Sequence, residues 1–429
     1  MKEKKSIKLI HVILLVAIAI VLWQFVFYDR YKMPEGAEIE VNATEDINVY
    51  SETNIYSLIK NSNVEIVTED WLLKTDEIGT QTVTIEYKYK GFRKYKYDIQ
   101  YRVVDSVSPI FISTQNISKT FYVNEASEKD VEEIINKLNY ADNYDIHPVL
   151  DAKYEIDFSR AGSYVVTLTL KDSSNNETEK KGVIEIKERP VVDPKAKKEE
   201  VKTEEPVEEK EEEEDNAILF ENQIATYKTL GTMVGIDISK WQGEVDFQKV
   251  KEAGCEFVIM RIGVMKDKDS ELVKDKTFDT NYRNAKQAGL KIGIYVYSEA
   301  NNVNTAISNA EFIINELNGD KLDFPIAFDW ESWSYFNSME MNLHMLNEMY
   351  EAFSKRLEDA GYETMLYGSQ NYLNNAWMTL KDYKLWVARY SEQHPEITNG
   401  GREYIMWQNS NTGKIDGIDG EVDFDIYYK

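Results

Sequence analysis

The sequence predicts a multidomain chain: an N-terminal transmembrane helix, two small all-β sandwiches, a disordered acidic linker and a C-terminal (β/α)8-type barrel with reduced helices. Three observations predict it. The 429 residues exceed one ordinary domain. Composition changes sharply from segment to segment, and from Met233 onward strand and helix patterns alternate, as in parallel sheets with crossover helices.

Residues 1–32 read as a cytoplasmic N-terminus and membrane anchor. Leu9 to Phe27 are apolar except for His11 and Gln24, and as a helix they span about 28 Å, close to the hydrocarbon thickness of a bilayer. Lys2, Lys4, Lys5 and Lys8 precede this run, and Trp23, Tyr28 and Tyr31 sit at its far edge. The N-terminus is therefore expected inside, with a single pass through the cell membrane and everything later outside. A cleaved signal peptide is the rival reading, but Trp23 to Tyr28 offer no small-x-small cleavage site.

Charge and cysteine content exclude two classes. The formal charge of −26 lacks the basic surface that nucleic acid requires, so no nucleic-acid partner is expected. Cys255 is the single cysteine, which rules out an intramolecular disulfide. It follows Gly254 and precedes Phe257-Val258-Ile259, the setting of a small core residue rather than a nucleophile.

A weak internal repeat follows the anchor. Ile78-Gly79-Thr80-Gln81-Thr82-Val83-Thr84-Ile85 is echoed by Ala161-Gly162-Ser163-Tyr164-Val165-Val166-Thr167-Leu168, each a turn and then a strand. A second alternating strand follows each, Tyr95 to Val104 and Gly182 to Lys187. The two units, residues 35–105 and 106–188, resemble the immunoglobulin-like repeats of bacterial surface proteins through this Gly-centred motif. Their expected role is that of a spacer, with a surface or wall partner as the alternative. From residue 189 to 230 the chain reads as an acidic linker, densest at Glu211-Glu212-Glu213-Glu214-Asp215. Self-repulsion and low hydrophobicity predict an extended tether of up to about 90 Å over its Pro/Lys/Glu-rich part.

Residues 231–429 carry eight strand patterns: Met233 to Ser239, Phe257 to Val264, Lys291 to Ser298, Phe324 to Glu331, Thr364 to Ser369, Leu385 to Tyr390, Ile405 to Asn409 and Glu421 to Tyr427. Helical patterns over Phe247 to Ala253, Asp279 to Ala288, Thr305 to Leu317 and Met341 to Ala360 separate the earlier ones, and the later connections are too short for full helices. In such a barrel the site is built at the carboxyl ends of the strands. Those ends deliver Asp237, Tyr295, Tyr297, Glu299, Asp329, Glu331, Tyr367, Arg389, Tyr390, Gln408 and Asp423. Asp329-Trp330-Glu331 stands out: residues two apart share a strand face, roughly 6.6 Å apart, so repulsion and burial should raise one carboxyl pKa and leave the other group ionised.

Gly235-Ile236-Asp237-Ile238-Ser239-Lys240-Trp241-Gln242-Gly243, Asp329-Trp330-Glu331, Trp386-Val387-Ala388-Arg389-Tyr390, Trp407-Gln408 and Val422-Asp423 together resemble the glycoside hydrolase family 25 lysozymes, or N-acetylmuramidases. The resemblance covers about Gly231 to Lys429 and implies hydrolysis of the β-1,4 bond from N-acetylmuramic acid to N-acetylglucosamine in peptidoglycan, in the cell-wall zone. It implies Glu331 as general acid and then base, Asp329 as the neighbour that raises its pKa and orients the acetamido group, and Asp237 and Asp423 as supporting carboxylates. Tyr295, Tyr297, Tyr367, Tyr390 and Trp407 are candidates to stack on sugars, and Arg389 and Gln408 to bond them or hold the carboxylates; core packing is the alternative for each aromatic, and Trp377 and Trp386 read as core. Two departures stand out. Arg261-Ile262-Gly263-Val264 replaces the Lys-Ala-Thr-Glu-Gly of many relatives, and Tyr295-Val296-Tyr297 replaces an aromatic-His-aromatic pattern, so preference among peptidoglycan variants is not carried over. No cofactor and no metal are expected, since no Cys/His set has ligand spacing. The competing readings are a wall-binding or scaffolding protein without turnover, and a hydrolase of another glycan.

Overall fold

The computed structural model describes residues 30–42, 46–112, 117–189, 218–378, 383–400 and 403–429, together with residue 17. The chain divides into two compact units, Met1–Ser106 and Val107–Lys429.

The expectation of a membrane anchor is corrected. Among the described residues no helix is long and apolar enough to cross a membrane, and the run from Leu9 to Phe27 lies, save for residue 17, outside them. Spanning needs a continuous apolar helix of about twenty residues that satisfies its own backbone, and none of the described helices supplies one. The single-pass localisation that rested on this segment is set aside.

In the first unit, the repeat motif forms the hairpin Gly79–Lys88 and Lys94–Val104, with Val83 opposite Ile99 and Ile85 opposite Tyr97. Alternation buries Val83, Ile85 and Tyr87 on one strand and Ile99, Tyr101 and Val103 on the other. Glu65–Ile66 and Ile47–Asn48 flank the hairpin, and Ile39–Val41 pairs separately with Ile59–Ser62.

The second unit opens with the equivalent hairpin, Gly162–Lys171 and Glu177–Lys187, flanked by Val149–Tyr154 and Lys119–Tyr122. Here the expectation of an all-β sandwich fails. A helix, Glu128–Asn136, is started by a capping box between Ser127 and Asp130 and lays Val131 and Ile135 on Val166, Leu168, Ile184 and Ile186. Neither repeat is shown to be immunoglobulin-like: each pairs one four-stranded sheet with a two-stranded ribbon, because the strands outside the hairpins are too short for a second full sheet.

The rest of the second unit is a closed barrel. Its strands are Thr232–Ile238, Phe257–Val264, Lys291–Tyr297, Ile326–Asp329, Thr364–Ser369, Leu385–Ala388, Met406–Lys414 and Val422–Tyr428. The first seven run parallel in sequence order, and the eighth closes the ring antiparallel to both the seventh and the first. This corrects the expected (β/α)8-type barrel to a β-rich, barrel-like fold. Residues 415–421 form a hairpin loop, too short for the crossover that a parallel eighth strand demands. Helices Phe247–Glu252, Phe278–Ala288, Val303–Leu317, Leu343–Glu358 and Gln370–Asn375 cover the earlier strands.

Residues 218–230, expected within the disordered linker, belong to this barrel unit, while residues 190–217 lie outside the described residues. Ile218–Leu219 pairs with Gly413–Lys414, and helix Phe220–Tyr227 sets the Phe220 ring edge-on to Phe424 at 5.0 Å. Gln223 and Asn409 exchange two buried amide hydrogen bonds of 2.8 and 3.0 Å. Three apolar residues at Phe220, Ile224 and Tyr227 outweigh the acidic composition upstream.

The hairpin-and-helix part of this unit is seated on the barrel. Asn342 Nδ2 donates to Tyr144 O at 2.7 Å, Leu343 N to Asp142 O at 2.8 Å and Asn139 Nδ2 to Ser334 O at 2.8 Å. Asn337 accepts from Tyr140 N at 3.1 Å, and Ile112 and Ala141 join the apolar shell of the barrel.

Candidate active site

Alternation along each barrel strand sends one residue set outward to the helices and the other into the ring. On the first strand Val234, Ile236 and Ile238 join the outer shell, while Met233 joins the interior cluster and Asp237 lines the pocket. The interior floor is apolar, built from Met233, Phe257, Ile259, Phe324, Met365 and Met406. Above it the same strands present polar groups to a pocket of about 250 Å³.

Of the residues expected at the site, Asp237, Asp329, Glu331, Asp423, Tyr295, Tyr297, Tyr367, Tyr390 and Gln408 all line this pocket. Arg389 and Trp407 do not. The Arg389 guanidinium bonds Gln370 Oε1 at 2.8 Å, Gln393 Oε1 at 2.9 Å and the His394 carbonyl at 3.2 Å. Trp407 is fully buried between Tyr227 and His394 and donates to Arg389 O at 2.9 Å. Both lie on the outward-facing phase of their strands. Ser239, Trp241, Gln242, Arg261 and Trp386 line the pocket without having been expected there, and Trp386 is thus both core and pocket wall. Trp241 is 76% exposed, an open aromatic face at the rim.

The Asp329/Glu331 pair differs from the expectation of two acids on one strand face. The strand ends at Asp329, and Glu331 stands at the start of the 3-10 turn Ser332–Ser338. Asp329 is therefore buried while Glu331 stays open to solvent. Between them Trp330 turns outward, fully buried, with its indole N–H donated to Ala300 O at 2.8 Å. Asp329 Oδ1 has no hydrogen-bond partner among the described residues. Burial and then the neighbouring Glu331 charge push the Asp329 carboxyl well up; Glu331, although exposed as a residue, has protein crowded around its carboxyl at the pocket rim, and this partial desolvation raises it too. The more deeply buried member, Asp329, is the one whose charged form costs more; spacing left open which carboxyl would be raised, and the resemblance had implied Glu331, whereas both are raised.

Asp237 is held by Gln408, whose Nε2 donates to Oδ2 at 2.7 Å. Gln408 is itself fixed as acceptor by Tyr367 at 2.9 Å and Tyr390 at 3.1 Å. Asp423 stands opposite Asp237 across the antiparallel pairing, and Asp425 lies one inward step deeper, fully buried. Burial, followed by the neighbouring carboxyls, raises all three; Asp423 reaches about 8. Carboxyls in contact keep that arrangement by retaining protons between them. Asp425 was missed by sequence reasoning, although it shares strand phase with Asp423.

Arg261 supplies the positive charge beside these acids. It is buried and bonds Asp275 Oδ2 through Nε at 2.8 Å and Nη2 at 2.7 Å. Among the side chains lining the pocket no Cys or His occurs. The arrangement combines two unequal carboxyls at one rim, a second group of carboxyls opposite, and aromatic and amide walls; chemically it can donate a proton and stabilise a developing cation.

Residues 236–418 match the sequence model of the glycosyl hydrolases family 25. The autolytic lysozyme of Clostridium acetobutylicum is 34% identical over 196 residues, which cover 46% of this chain and 56% of that protein. Lysozyme M1 of Streptomyces globisporus is 27% identical over 202 residues, covering 44% and 65%. Among solved structures, the modular autolysin LytC of Streptococcus pneumoniae, crystallised with a synthetic peptidoglycan ligand, aligns with a TM-score of 0.41 and 24% identity over 47% of this chain and 48% of that one. The chain thus spans only about half to two thirds of the length of these relatives. The family match and the curated relatives support a glycosyl hydrolase family 25 domain in the C-terminal part of this chain.

Proposed function

We propose that this chain is a muramidase that hydrolyses the β-1,4 bond between N-acetylmuramic acid and N-acetylglucosamine in peptidoglycan. The observation that carries it is the meeting of the Asp329/Glu331 pair with Asp237 and Asp423, each more than ninety residues from that pair in sequence, around one sugar-sized pocket walled by tyrosines.

Glu331 is the proton donor, because it is the member of the pair that substrate can reach from the rim. Asp329 keeps a buried oxygen in want of a donor. The acetamido N–H of the bound sugar fits that need. By bonding Asp329 Oδ1 it favours the ionised form of Asp329 and leaves the pair's proton on Glu331, ready for the leaving oxygen. The sugar then carries positive charge, which ionised Asp329 offsets at short range. Water attacks once Glu331, now a carboxylate, accepts its proton. Asp237, oriented by Gln408, and Asp423 hold the opposite side of the sugar. No metal or cofactor takes part in this scheme.

The test is digestion of purified wall by the full chain and by Glu331→Gln. Wild type should create new reducing muramic acid ends, and the variant should lose about a thousandfold of that rate. Full activity in the variant, cleavage only of another polymer, or no cleavage at all would each refute the proposal.

A further inference from the structure

Beside the acidic pocket lies a second hollow of about 510 Å³, open to solvent, between the hairpin-and-helix module and the barrel. Its barrel wall is the 3-10 turn that begins immediately after Glu331, including Trp333, Tyr335 and Asn337, together with Tyr372. Its opposite wall comes from the C-terminal end of helix Glu128–Asn136 and the turn after it, including Asn136 and Asn139. The two walls are tied directly: Asn139 bonds Ser334 O, and Asn337 bonds both Tyr140 N and, at 3.3 Å, Leu138 O. The hollow is therefore built by the seating of the module on the turn that carries Glu331.

The two hollows are neighbours. Tyr372 stacks on Trp333 at 4.4 Å with the planes 15° apart, and the Glu331 charge contributes, after burial, to raising the Tyr372 hydroxyl. A polymer cut at Glu331 continues beyond the reacting bond and needs further surface to lie on, and this concave surface starts two residues from Glu331.

We propose that this groove binds the continuing glycan strand of peptidoglycan, so that the second module forms one wall of an extended cleft rather than a spacer. The inference rests on the muramidase reading. Its chemistry fits the hydroxyl and acetamido groups of an amino-sugar chain: Tyr335, 69% exposed, offers an aromatic face, Leu138 and Trp333 add apolar surface, and most of the remaining lining is amide and hydroxyl. The one charged lining residue, Lys137, is already paired with Glu133 at 2.7 Å. A stem peptide carries several carboxylates and amines, more charge than the single lactyl carboxylate of each peptide-free muramic acid, and the lining supplies no partners for them. Binding at such a remote site can be spent on the reaction at Glu331.

The experiment measures affinity of the full chain, made inactive by Glu331→Gln, for peptide-free glycan strands and for a tetrasaccharide of the same repeat. Tyr335→Ala and Asn136→Ala are each added to that parent, and a melting curve checks folding. The long strands should bind about tenfold more weakly to each added variant, and the tetrasaccharide within about twofold of the parent. Unchanged affinity for long strands, equal losses for both ligands, a loss seen only on peptide-bearing strands, or no strand binding by the parent would overturn the proposal. Digestion by wild type is followed in parallel. Strands bound through the groove yet left uncut would sink the muramidase reading and leave the groove standing, whereas cut strands with unchanged affinity in the groove variants would sink the groove alone.

Discussion

Trp386 donates its indole N–H to Asp425 across 2.8 Å, joining the sixth barrel strand to the antiparallel eighth beneath the acidic pocket. Tyr367 and Tyr295 meet the same indole edge-on, at 4.7 and 6.0 Å, so one bond fixes a wall shared by three aromatic rings. Asp425 is fully buried, and burial raises its carboxyl well above the ordinary range. It is an acceptor for Trp386 on one side and a neighbour of Asp237 on the other.

Replacing Asp425 therefore separates two roles. Asp425→Asn retains an acceptor for the indole and needs no proton to stay neutral, so the folded protein should be at least as stable as wild type at neutral pH. Asp425→Leu leaves the Trp386 N–H buried without a partner and should cost about 1–3 kcal/mol. Urea midpoints of the three proteins decide the matter; equal midpoints for the Asn and Leu variants would show that the indole bond contributes nothing.

The acidic pocket also sets the pH dependence of stability. Asp237, Asp329, Glu331, Asp423 and Asp425 are all raised, burial being the first cause in each. A raised carboxyl keeps its proton in the folded state at pH values where the unfolded chain has lost it. The folded state then binds more protons, and stability falls as pH rises from the unfolded carboxylate range through each folded pKa. The urea midpoint should decline between about pH 5 and pH 8, with a slope near 1.4 kcal/mol per pH unit for each proton retained. Asp423, raised to about 8, contributes to the decline across that whole window. Asp423→Asn should make the decline shallower throughout it, and a wild-type midpoint that rises across the window would contradict the assignment.

Much of this site was legible in the sequence, and strand phase explains both what was found and what was not. Asp237, Asp329, Tyr367, Gln408 and Asp423 sit at strand ends on the inward phase. The same rule applied strictly would have removed Trp407, which neighbours inward Gln408, and Arg389, which follows inward Ala388. It would equally have added Trp386, Arg261 and Asp425, each two residues from an inward neighbour. The helix Glu128–Asn136 was legible but went unread where an all-β module was expected: Ser127 and Asp130 form a capping box ahead of Val131, Ile134 and Ile135. Two features were not legible. The antiparallel eighth strand depends on a connection length that pattern alone does not assign, and the seating of the module on the Glu331 turn depends on Asn side chains, whose pairing across about two hundred residues has no periodic signature.

Arg261 and Asp275 form a pair of another kind, and its removal should be costly. Both side chains are almost wholly buried, with 8% and 0% of their surface exposed, and the closer contact is 2.7 Å. Burial pushes the Asp275 carboxyl up, but the N–H of Thr277 and the Arg261 guanidinium overcome this, so it lies below the ordinary range. The same carboxylate accepts Lys240 N at 3.1 Å, fixing the segment that carries Trp241. Asp275→Asn would leave a buried guanidinium without its counter-charge, a loss of about 3–5 kcal/mol. Because the Asp275 pKa is depressed, its contribution should be fully present above the unfolded carboxylate pKa and disappear as pH falls through the folded value. Adding Arg261→Met to Asp275→Asn should recover most of the stability, since the stranded charge is gone, but not the activity, because Arg261 lines the pocket. Denaturation midpoints and wall digestion on the single and double variants test both halves; a single variant as stable as wild type would mean the pair carries no structural role.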